Sequence, residues 1–414
     1  MLSPTGGAAA ARPGSRSANE RAVLAALRVH DRLSRTELAR LSGLPKTTVT
    51  GVVGRLLRLG VVVEHAGNGD GQGRAGRPAA GLALAGPAGR VAVFSLTHVW
   101  LRLAVAGFDG TVLARRDMPI DRPRDARRVL DAGVALLDEL LTEADLSRQA
   151  ITCAVVGVPA PYDRGTGVVV GRIPGAVMDA VPEIQEVLGW LRPDPAPEVA
   201  GRLGVPTVAD NDANLGALGE ATFGAGRGLG SLIYLKVVEG LGAGLILDGR
   251  LYRGARGLAG EFAHIQVSED GLWCSCGGRG CLGDELGATV AGLRPAYQRP
   301  VTFTDVMRLA VLGDAGTLRI MNDAGRRIGR VLADACMVLS PDAVVVDGLL
   351  GAAGKPFLAG VREMIDRHTM TTVAETVRLV AGSLGDEAEI LGAVALARSE
   401  RLDEVLGGAG SLRR

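Results

Sequence analysis

Three cysteines fall within eight residues, CSCGGRGC at 274–281, in a chain of 414 residues that holds five cysteines altogether. His264, in the segment GEFAHI, precedes Cys274 by ten residues. Together His264, Cys274, Cys276 and Cys281 make a Cys3His set, the donor composition of a closed, tetrahedral structural zinc site. Gly277, Gly278 and Gly280 let so short a loop turn back until its thiolates converge. The N-terminal stretch MLSPTGGAAAARPGSRSAN lacks a continuous apolar core, so neither a leader nor an anchor is expected, and no run of apolar residues reaches membrane-spanning length. A cytoplasmic location follows as the expectation, and reduced, clustered thiols there point to zinc as cofactor rather than to disulfides. Cys153 and Cys336 sit in apolar runs and are expected as buried filler.

The elements ahead of this cluster carry a different chemistry. The net charge of +1 conceals an asymmetry: residues 1–80 hold 12 Arg or Lys against 5 acids, while the remainder holds 34 against 40. A basic segment on an acidic body is the pattern of a polyanion-binding module. Within it, Val23, Leu24 and Leu27 recur at helical spacing behind Asn19 as a candidate cap. In SRTELARLSGL, Ser34 or Thr36 can cap a second helix carrying Leu38 and Leu41, with Gly43 closing it. Pro45 then opens PKTTVTGVVGRLLRLG, where Val49, Val52, Val53, Leu56 and Leu57 give an apolar face and Lys46, Thr47, Thr48 and Thr50 stand at the N-terminal end. Helix, tight glycine turn, helix is helix-turn-helix order, and Lys and Thr in the first turn suit phosphate and base-edge contacts in a major groove. VVVE and GLALA flank a Gly/Arg-rich tip and read as a wing, with Arg74 and Arg77 placed to reach a phosphate or the minor groove. The partner expected is a double-stranded DNA operator. A three-helix domain with merely solvated charges would require neither the wing nor the charge split.

From residue 89 onward short apolar strands alternate with helices: RVAVFSLT, LRLAVAGFDG and TVLARRD, a helix over about 126–144, then AITCAVVGVPAP. The second half repeats the style with SLIYLKVV, GAGLILDG, a long helix around 317–338 and DAVVVDGLLG. This pattern predicts an α/β body of two lobes with a cleft suited to a small ligand.

VADNDANLGALGE at 208–220, EGLGAGLILDGRLYRGARGLAGEFAH at 239–264 and CSCGGRGCL together resemble the ROK family of sugar kinases and sugar-responsive repressors. With the winged helix in front, the chain resembles the ROK transcriptional regulators over nearly its whole length. The resemblance implies a two-lobed ribonuclease H-like fold and a sugar or sugar-derivative effector. By motif, Asn211 and Asp212 would bind sugar hydroxyls, Asp212 being the base in kinase members, and Glu261 and His264 would bind further hydroxyls. One nitrogen of His264 would hold zinc while the other faces the sugar, so that the metal fixes the ring.

Kinase members open this body with Asp-x-Gly-x-Thr, whereas this chain has SLTHV at 95–99, with Ser95 for the Asp. Glu239 stands where the second phosphate loop usually has Thr, and Asp347 replaces the first Gly of a Gly-Gly pair. These changes remove a metal-associated carboxylate and add negative charge beside polyphosphate, so no enzyme is expected and no catalytic residue is assigned. The family's Cys-Leu-Glu reads Cys281-Leu282-Gly283, followed by Asp284 and Glu285, either of which could stand in for the Glu. A long stretch at 178–204 is expected as an added cap or interface element. The expected plan is an arm at 1–18, a winged helix-turn-helix at 19–85 and a two-lobed body at 86–414. The expected function is a sugar-responsive transcriptional regulator, acting as a homodimer or homotetramer. The alternatives are an active ATP-dependent sugar kinase fused to a DNA-binding domain, and a regulator answering to a protein partner.

Overall fold

The computed structural model describes residues 16–29, 32–58, 62–65, 81–84, 89–97, 100–120, 125–169, 194–237, 240–274, 276–291, 303–348 and 354–405. The chain divides into two compact units, Met1–Pro87 and Ala88–Arg414.

The first unit holds α1 (Arg16–Val29), α2 (Arg35–Ser42), α3 (Lys46–Arg58) and the hairpin β1 (Val62–His65) with β2 (Gly81–Leu84). Helix α1 begins ahead of Asn19, where the cap was expected; Arg16, Ser17 and Ala18 contain no helix breaker, so the helix takes the end of the predicted arm. Ser34 caps α2 in a reciprocal box with Glu37, and Gly43 closes it at φ 68°. Val23, Leu24, Leu27, Leu38, Val49, Val52, Val53 and Leu56 form the core, with Leu57 partly buried. Leu41 departs from the expectation at 40 % exposure. Helix α2 has only 8 residues, and Leu38 is the one it buries. Leu33 bridges to Leu82 and lends the hairpin a third edge, while Arg35 pairs with Glu64 at 2.9 Å and fastens α2 to β1.

In the second unit the first lobe strings together β3 (Arg90–Leu96), β4 (Trp100–Gly107), β5 (Val112–Pro119), α4 (Ala126–Glu143), β6 (Ile151–Val158), the short pair β7 (Tyr162–Asp163) and β8 (Val168–Val169), α5 (Pro195–Leu203), β9 (Thr207–Asn211) and α6 (Asp212–Phe223). The second lobe follows with β10 (Leu232–Val237), β11 (Leu241–Leu247), β12 (Arg250–Tyr252), a 3-10 turn at Phe262–His264, α7 (Leu282–Ala291), α8 (Phe303–Val311), α9 (Ala315–Leu339), β13 (Ala343–Asp347), α10 (Lys355–His368), α11 (Thr371–Thr376), β14 (Arg378–Ala381) and α12 (Ala388–Val405). Of the unusual stretch at 178–204, residues up to 193 lie outside the described residues, and its end forms α5.

The two main sheets share one plan. Their orders are β5-β4-β3-β6-β9 and β12-β11-β10-β13-β14. In each, three antiparallel strands are followed by two parallel ones on the other side of the first strand. This is a duplicated α/β lobe, the two-lobed ribonuclease H-like architecture that the sequence implied. Because β3, β6 and β9 run parallel, as do β10, β13 and β14, each set ends on one side of its own sheet, which places Ser95 and Asn211 at the strand ends of the first sheet and Asp347 at those of the second. Helices α6 and α12 cross with backbones touching: a Cβ on Gly219 would lie 2.0 Å from the Ala388 carbonyl oxygen, and one on Gly392 1.7 Å from that of Leu215. That approach sets the start of α12 against Gly219 and its second turn against Leu215, in the first turn of α6. Cys153 and Cys336 are buried, as expected. Among the described residues, no helix is long and apolar enough to cross a membrane.

Candidate functional site

The cysteine loop is built by short backbone bonds. Cys274 N–H donates to Gly278 O at 2.9 Å, Gly277 N–H to Cys274 O at 2.9 Å, and Gly280 N–H to Leu272 O at 2.7 Å. Gly280 adopts φ 65°, and a side chain there would strike the Ser268 carbonyl, so glycine is required at that turn. The loop returns beside the Phe262–His264 turn, and one donor atom from each of His264, Cys274, Cys276 and Cys281 lies within 4.8 Å of every other. A tetrahedral ion with bonds of about 2.3 Å to sulfur and about 2.0 Å to nitrogen sets sulfur–sulfur edges near ~3.8 Å and sulfur–nitrogen edges near ~3.5 Å. Cys276 Sγ and Cys281 Sγ are 3.7 Å apart, and Cys274 Sγ is 3.5 Å from His264 Nδ1. The donor set therefore fits a tetrahedral metal in both composition and spacing. Asp284 hydrogen-bonds to the Cys274 thiol, and burial with that bond pushes the thiol up to about 12. Binding of an ion would accordingly release protons.

His264 belongs to a second feature, a cavity of ≈ 550 Å³ lined by residues from both lobes. Asn211, Asp212, Glu261 and His264, named together from sequence, all line it. Asn211 caps α6: its Oδ1 accepts from the N–H groups of Ala213 at 2.9 Å and Asn214 at 3.2 Å, and its Nδ2 donates to Ala160 O at 3.0 Å. The oxygen is thus committed to the helix, and the remaining amide N–H is the group left for a ligand. Asp210, one residue earlier, is fully buried and holds this turn in place, accepting from Asn211 N–H at 2.9 Å, Asn214 Nδ2 at 3.0 Å and Arg253 at 2.6 and 2.8 Å. Asp284 and Glu285 do not line the cavity; Asp284 turns to the cysteines and Glu285 meets Arg327 at 3.4 Å. Neither takes the place of the family's Glu, because α7 begins at Leu282 and its first turn faces the loop and α9.

Asp212 is held in an ion pair, and burial, outweighing the attraction of Lys236, raises it above the usual carboxylate range. Its Oδ2 accepts from Lys236 Nζ at 2.7 Å and its Oδ1 from the Ala213 N–H at 2.8 Å. Lys236 also pairs with Glu389 at the start of α12, and Glu389 accepts from the Ser95 hydroxyl at the end of β3. Burial alone would lower Lys236, but Asp212 and Glu389 overcome it and hold the ammonium above its ordinary value. Ser95, the position where kinase members carry a carboxylate, is here a donor to one. Asp347 closes the network's far side, accepting from Tyr234 Oη at 2.8 Å and from the Gly348 N–H at 2.7 Å. Glu239 lies outside the described residues. Lys236 and Glu389 were missed from sequence; the available signal was a lysine inside the apolar strand LIYLKVV in a chain with three lysines in all.

Burial, reinforced by Asp212, pushes Glu261 up to about 7 from an ordinary 4.5. A carboxyl with a raised folded value contributes stability below its unfolded value, and that contribution is lost as pH rises through the folded value. Glu261→Gln is therefore expected to raise the melting temperature at pH 8 and leave it unchanged at pH 4.5. A melting profile with the same pH dependence in variant and parent would remove Glu261 as the titrating group.

In the first unit, Lys46, Thr47 and Thr50 are exposed on the opening turn of α3 and Thr48 is partly exposed. Thr50 Oγ1 donates to Lys46 O at 2.9 Å, so it keeps only acceptor capacity for a partner. Gly51 has open space around it, leaving room for a close approach. Arg74 and Arg77 lie outside the described residues.

The sequence matches the ROK family over residues 101–400 and the winged helix-turn-helix DNA-binding family over residues 16–63. It is 26 % identical over 392 residues to the xylose repressor of Bacillus subtilis, covering 94 % of this chain and 96 % of that protein. It is 32 % identical over 232 residues to the glucokinase of Streptomyces coelicolor, covering 51 % of this chain and 73 % of the kinase. Among solved structures, a ROK family transcriptional regulator described as a homologue of the E. coli MLC protein superposes with a TM-score of 0.71 at 22 % identity, covering 95 % of this chain and 99 % of that one. The chain belongs to the ROK family, and carries the family's body behind an N-terminal winged helix-turn-helix.

Proposed function

We propose that this protein is a transcriptional repressor: the winged helix binds an operator in double-stranded DNA, and the ROK body senses a sugar without phosphorylating it. Zinc fills the Cys3His cluster and braces His264 at the cavity wall. The regulator works in the cytoplasm as a homodimer or homotetramer, so that paired α3 helices read a palindrome with half-sites about 34 Å apart. Asn211, Asp212, Glu261 and His264 form the sugar contacts, and Lys46, Thr47, Thr48, Thr50, Arg74 and Arg77 the DNA contacts. The observation that carries the reading is Lys236, an ammonium seated 2.7 Å from Asp212 inside a sugar-sized cavity. A carboxylate whose oxygen is bonded to an ammonium must break that pair before it can take a proton from a sugar hydroxyl, yet it remains a sound hydrogen-bonding group. Full-length similarity to repressors, against partial coverage by kinases, supports the same choice.

The test is a titration of the purified protein against promoter fragments from its own genome, with and without sugars, beside an assay of sugar-dependent ATP turnover. Operator binding released or strengthened by a sugar, with no turnover, is the expected result. Turnover abolished by Asp212→Asn would make the protein a kinase. In the same assay Lys46→Ala with Arg77→Ala is expected to weaken operator binding and reduce the log-log salt slope by about one to two units, each lost phosphate contact accounting for roughly one. An unchanged slope would take both residues out of the interface.

A further inference from the structure

The sulfurs of the cysteine cluster are unequally covered. Cys281 is 2 % exposed and leads directly into α7, which fixes it in the body. Cys276 is partly exposed, and Leu272, Trp273, Gly277 and Arg279 around it are open to solvent. Its sulfur lies 3.7 Å from that of Cys281, while Cys274 Sγ is turned to His264 Nδ1 at 3.5 Å. Gly278 lies against the Cys276–Cys281 pair: a Cβ there would sit 3.2 Å from the first sulfur and 3.4 Å from the second. As glycine it gives neither sulfur any side-chain cover. A disulfide holds its sulfurs at about 2.0 Å, so this pair has to close by roughly 1.7 Å. Gly277, exposed and at φ 83°, follows Cys276 directly and lets that side of the turn move toward the fixed Cys281.

We propose that Cys276 and Cys281 are a modification site, oxidised by a hydroperoxide to a disulfide at the expense of the metal site. The Cys276 thiolate attacks one peroxide oxygen, the O–O bond breaks, hydroxide leaves and Cys276 becomes a sulfenic acid. Cys281, too buried to meet the peroxide first, then attacks the Cys276 sulfur as a thiolate, forms the S–S bond and releases a second hydroxide. Two electrons pass from the two sulfurs to the peroxide, and with two protons hydrogen peroxide ends as two waters. Only His264 and Cys274 are left as donors, two where a closed zinc site takes four. The consequence for regulation rests on the sugar-sensing reading above: the oxidised protein keeps its operator and stops answering to sugar, because His264 loses its brace at the cavity wall.

The experiment treats the full-length protein, as purified, with hydrogen peroxide, following zinc with a chromogenic chelator and the sulfurs by tryptic mapping without reductant. Trypsin cuts after Arg279, between the two cysteines, so their bond is read as a link between two peptides, and fragmentation separates Cys276 from Cys274. The expected result is one zinc released per chain in step with a Cys276–Cys281 link, both reversed by dithiothreitol with added zinc. Gly278 lacks the positive φ of Gly277 and Gly280, so alanine suits its backbone, and Gly278→Ala is expected to bind metal and to oxidise severalfold more slowly. A Cys274–Cys276 bond, sulfinic acid without a disulfide, or an unchanged rate in Gly278→Ala overturns the inference; should the variant fail to fold, mapping of the parent decides alone. Operator titrations with and without D-xylose, D-glucose and N-acetyl-D-glucosamine, before and after peroxide, test the consequence. A disulfide that forms while the sugar response persists overturns the link to sensing. Protein that never responds to a sugar, or is purified without zinc, counts against the corresponding reading above, and the mapping still decides the disulfide.

Discussion

Cys276→Ala is expected to lose metal and sugar response together while keeping operator affinity. The Sγ of Cys276 lies 3.7 Å from that of Cys281 and accepts from the Gly278 N–H at 3.3 Å, so it serves both the donor set and the turn that forms it. Structural zinc contributes on the order of 10 kcal/mol to the folding of such loops, far more than one hydrogen bond, so the loss should loosen the segment from His264 to Cys281 rather than trim an affinity. His264 would then be released from the cysteines that orient it and would cease to be a fixed wall of the cavity. Coupling between effector and operator typically amounts to ~5 to 150-fold, and it should fall to none in the variant. The first unit has its own core of Val23, Leu38, Val53 and Leu82, independent of the cysteines, so DNA binding should persist. Metal content by mass spectrometry, measured with operator titrations in the presence and absence of sugar, checks the result. A zinc-free variant that still responds fully to sugar would separate the metal from the sensor.

The elements that were legible in the sequence are those whose environment changes along the chain with a simple period. Strand β5 alternates exposed and partly buried residues at a sheet edge, and α4 presents Val129, Leu130, Leu137, Leu140 and Leu141 on one face, so both could be read within a residue or two. Helix α6 is different. Ala213, Leu215, Gly216, Ala217 and Gly219 are all buried, because the helix is covered on several sides by β10, β11 and α12, and a helix buried all round has no polar face to mark its period. Only its motif identified it. Helix α1 starts at Arg16, ahead of Asn19, for a related reason: a cap residue signals where a helix can start, not that nothing helical precedes it.

The same division holds for the site. The cysteine cluster is local, its members within eighteen residues, and spacing alone named all four donors. The ion network around Asp212 is not local. Lys236 is 24 residues from Asp212 and 153 from Glu389, and Ser95 is 294 from Glu389. Substitution of Ser95 for a family carboxylate could be read as a loss, but only the fold reveals that Glu389 and Lys236 occupy the same neighbourhood and fill it with an ion pair. Asp210 was passed over because it sits in a motif whose next two residues drew the functional assignment.

Asp210→Ala is expected to destabilise the ROK body by about 3–5 kcal/mol and to abolish sugar binding, although Asp210 lies behind the cavity wall rather than on it. Its side chain is 1 % exposed and faces two guanidinium groups, Arg253 at 2.6 Å and Arg164 at 3.8 Å. Removing the carboxylate would leave Arg253 without its buried counter-charge, while Arg164 keeps Glu400 at 3.0 Å; the stranded Arg253 is the unfavourable half of a broken ion pair and the source of the large effect. It would also free the Asn211 N–H and the Asn214 amide, both now fixed by Asp210 at 2.9 and 3.0 Å. Asn211 would then lose the register that places its remaining N–H toward the cavity. Asp210→Asn separates the two contributions: it keeps an oxygen for the Asn211 N–H while removing the charge, and should lose stability with a smaller loss of sugar affinity. Urea unfolding of both variants, followed by titration with the sugar that the parent binds, supplies the measurement. Unfolding midpoints equal to the parent's in Asp210→Ala would show that Arg253 finds another partner at no loss, and unchanged sugar affinity would show that Asn211 is held by its helix cap alone.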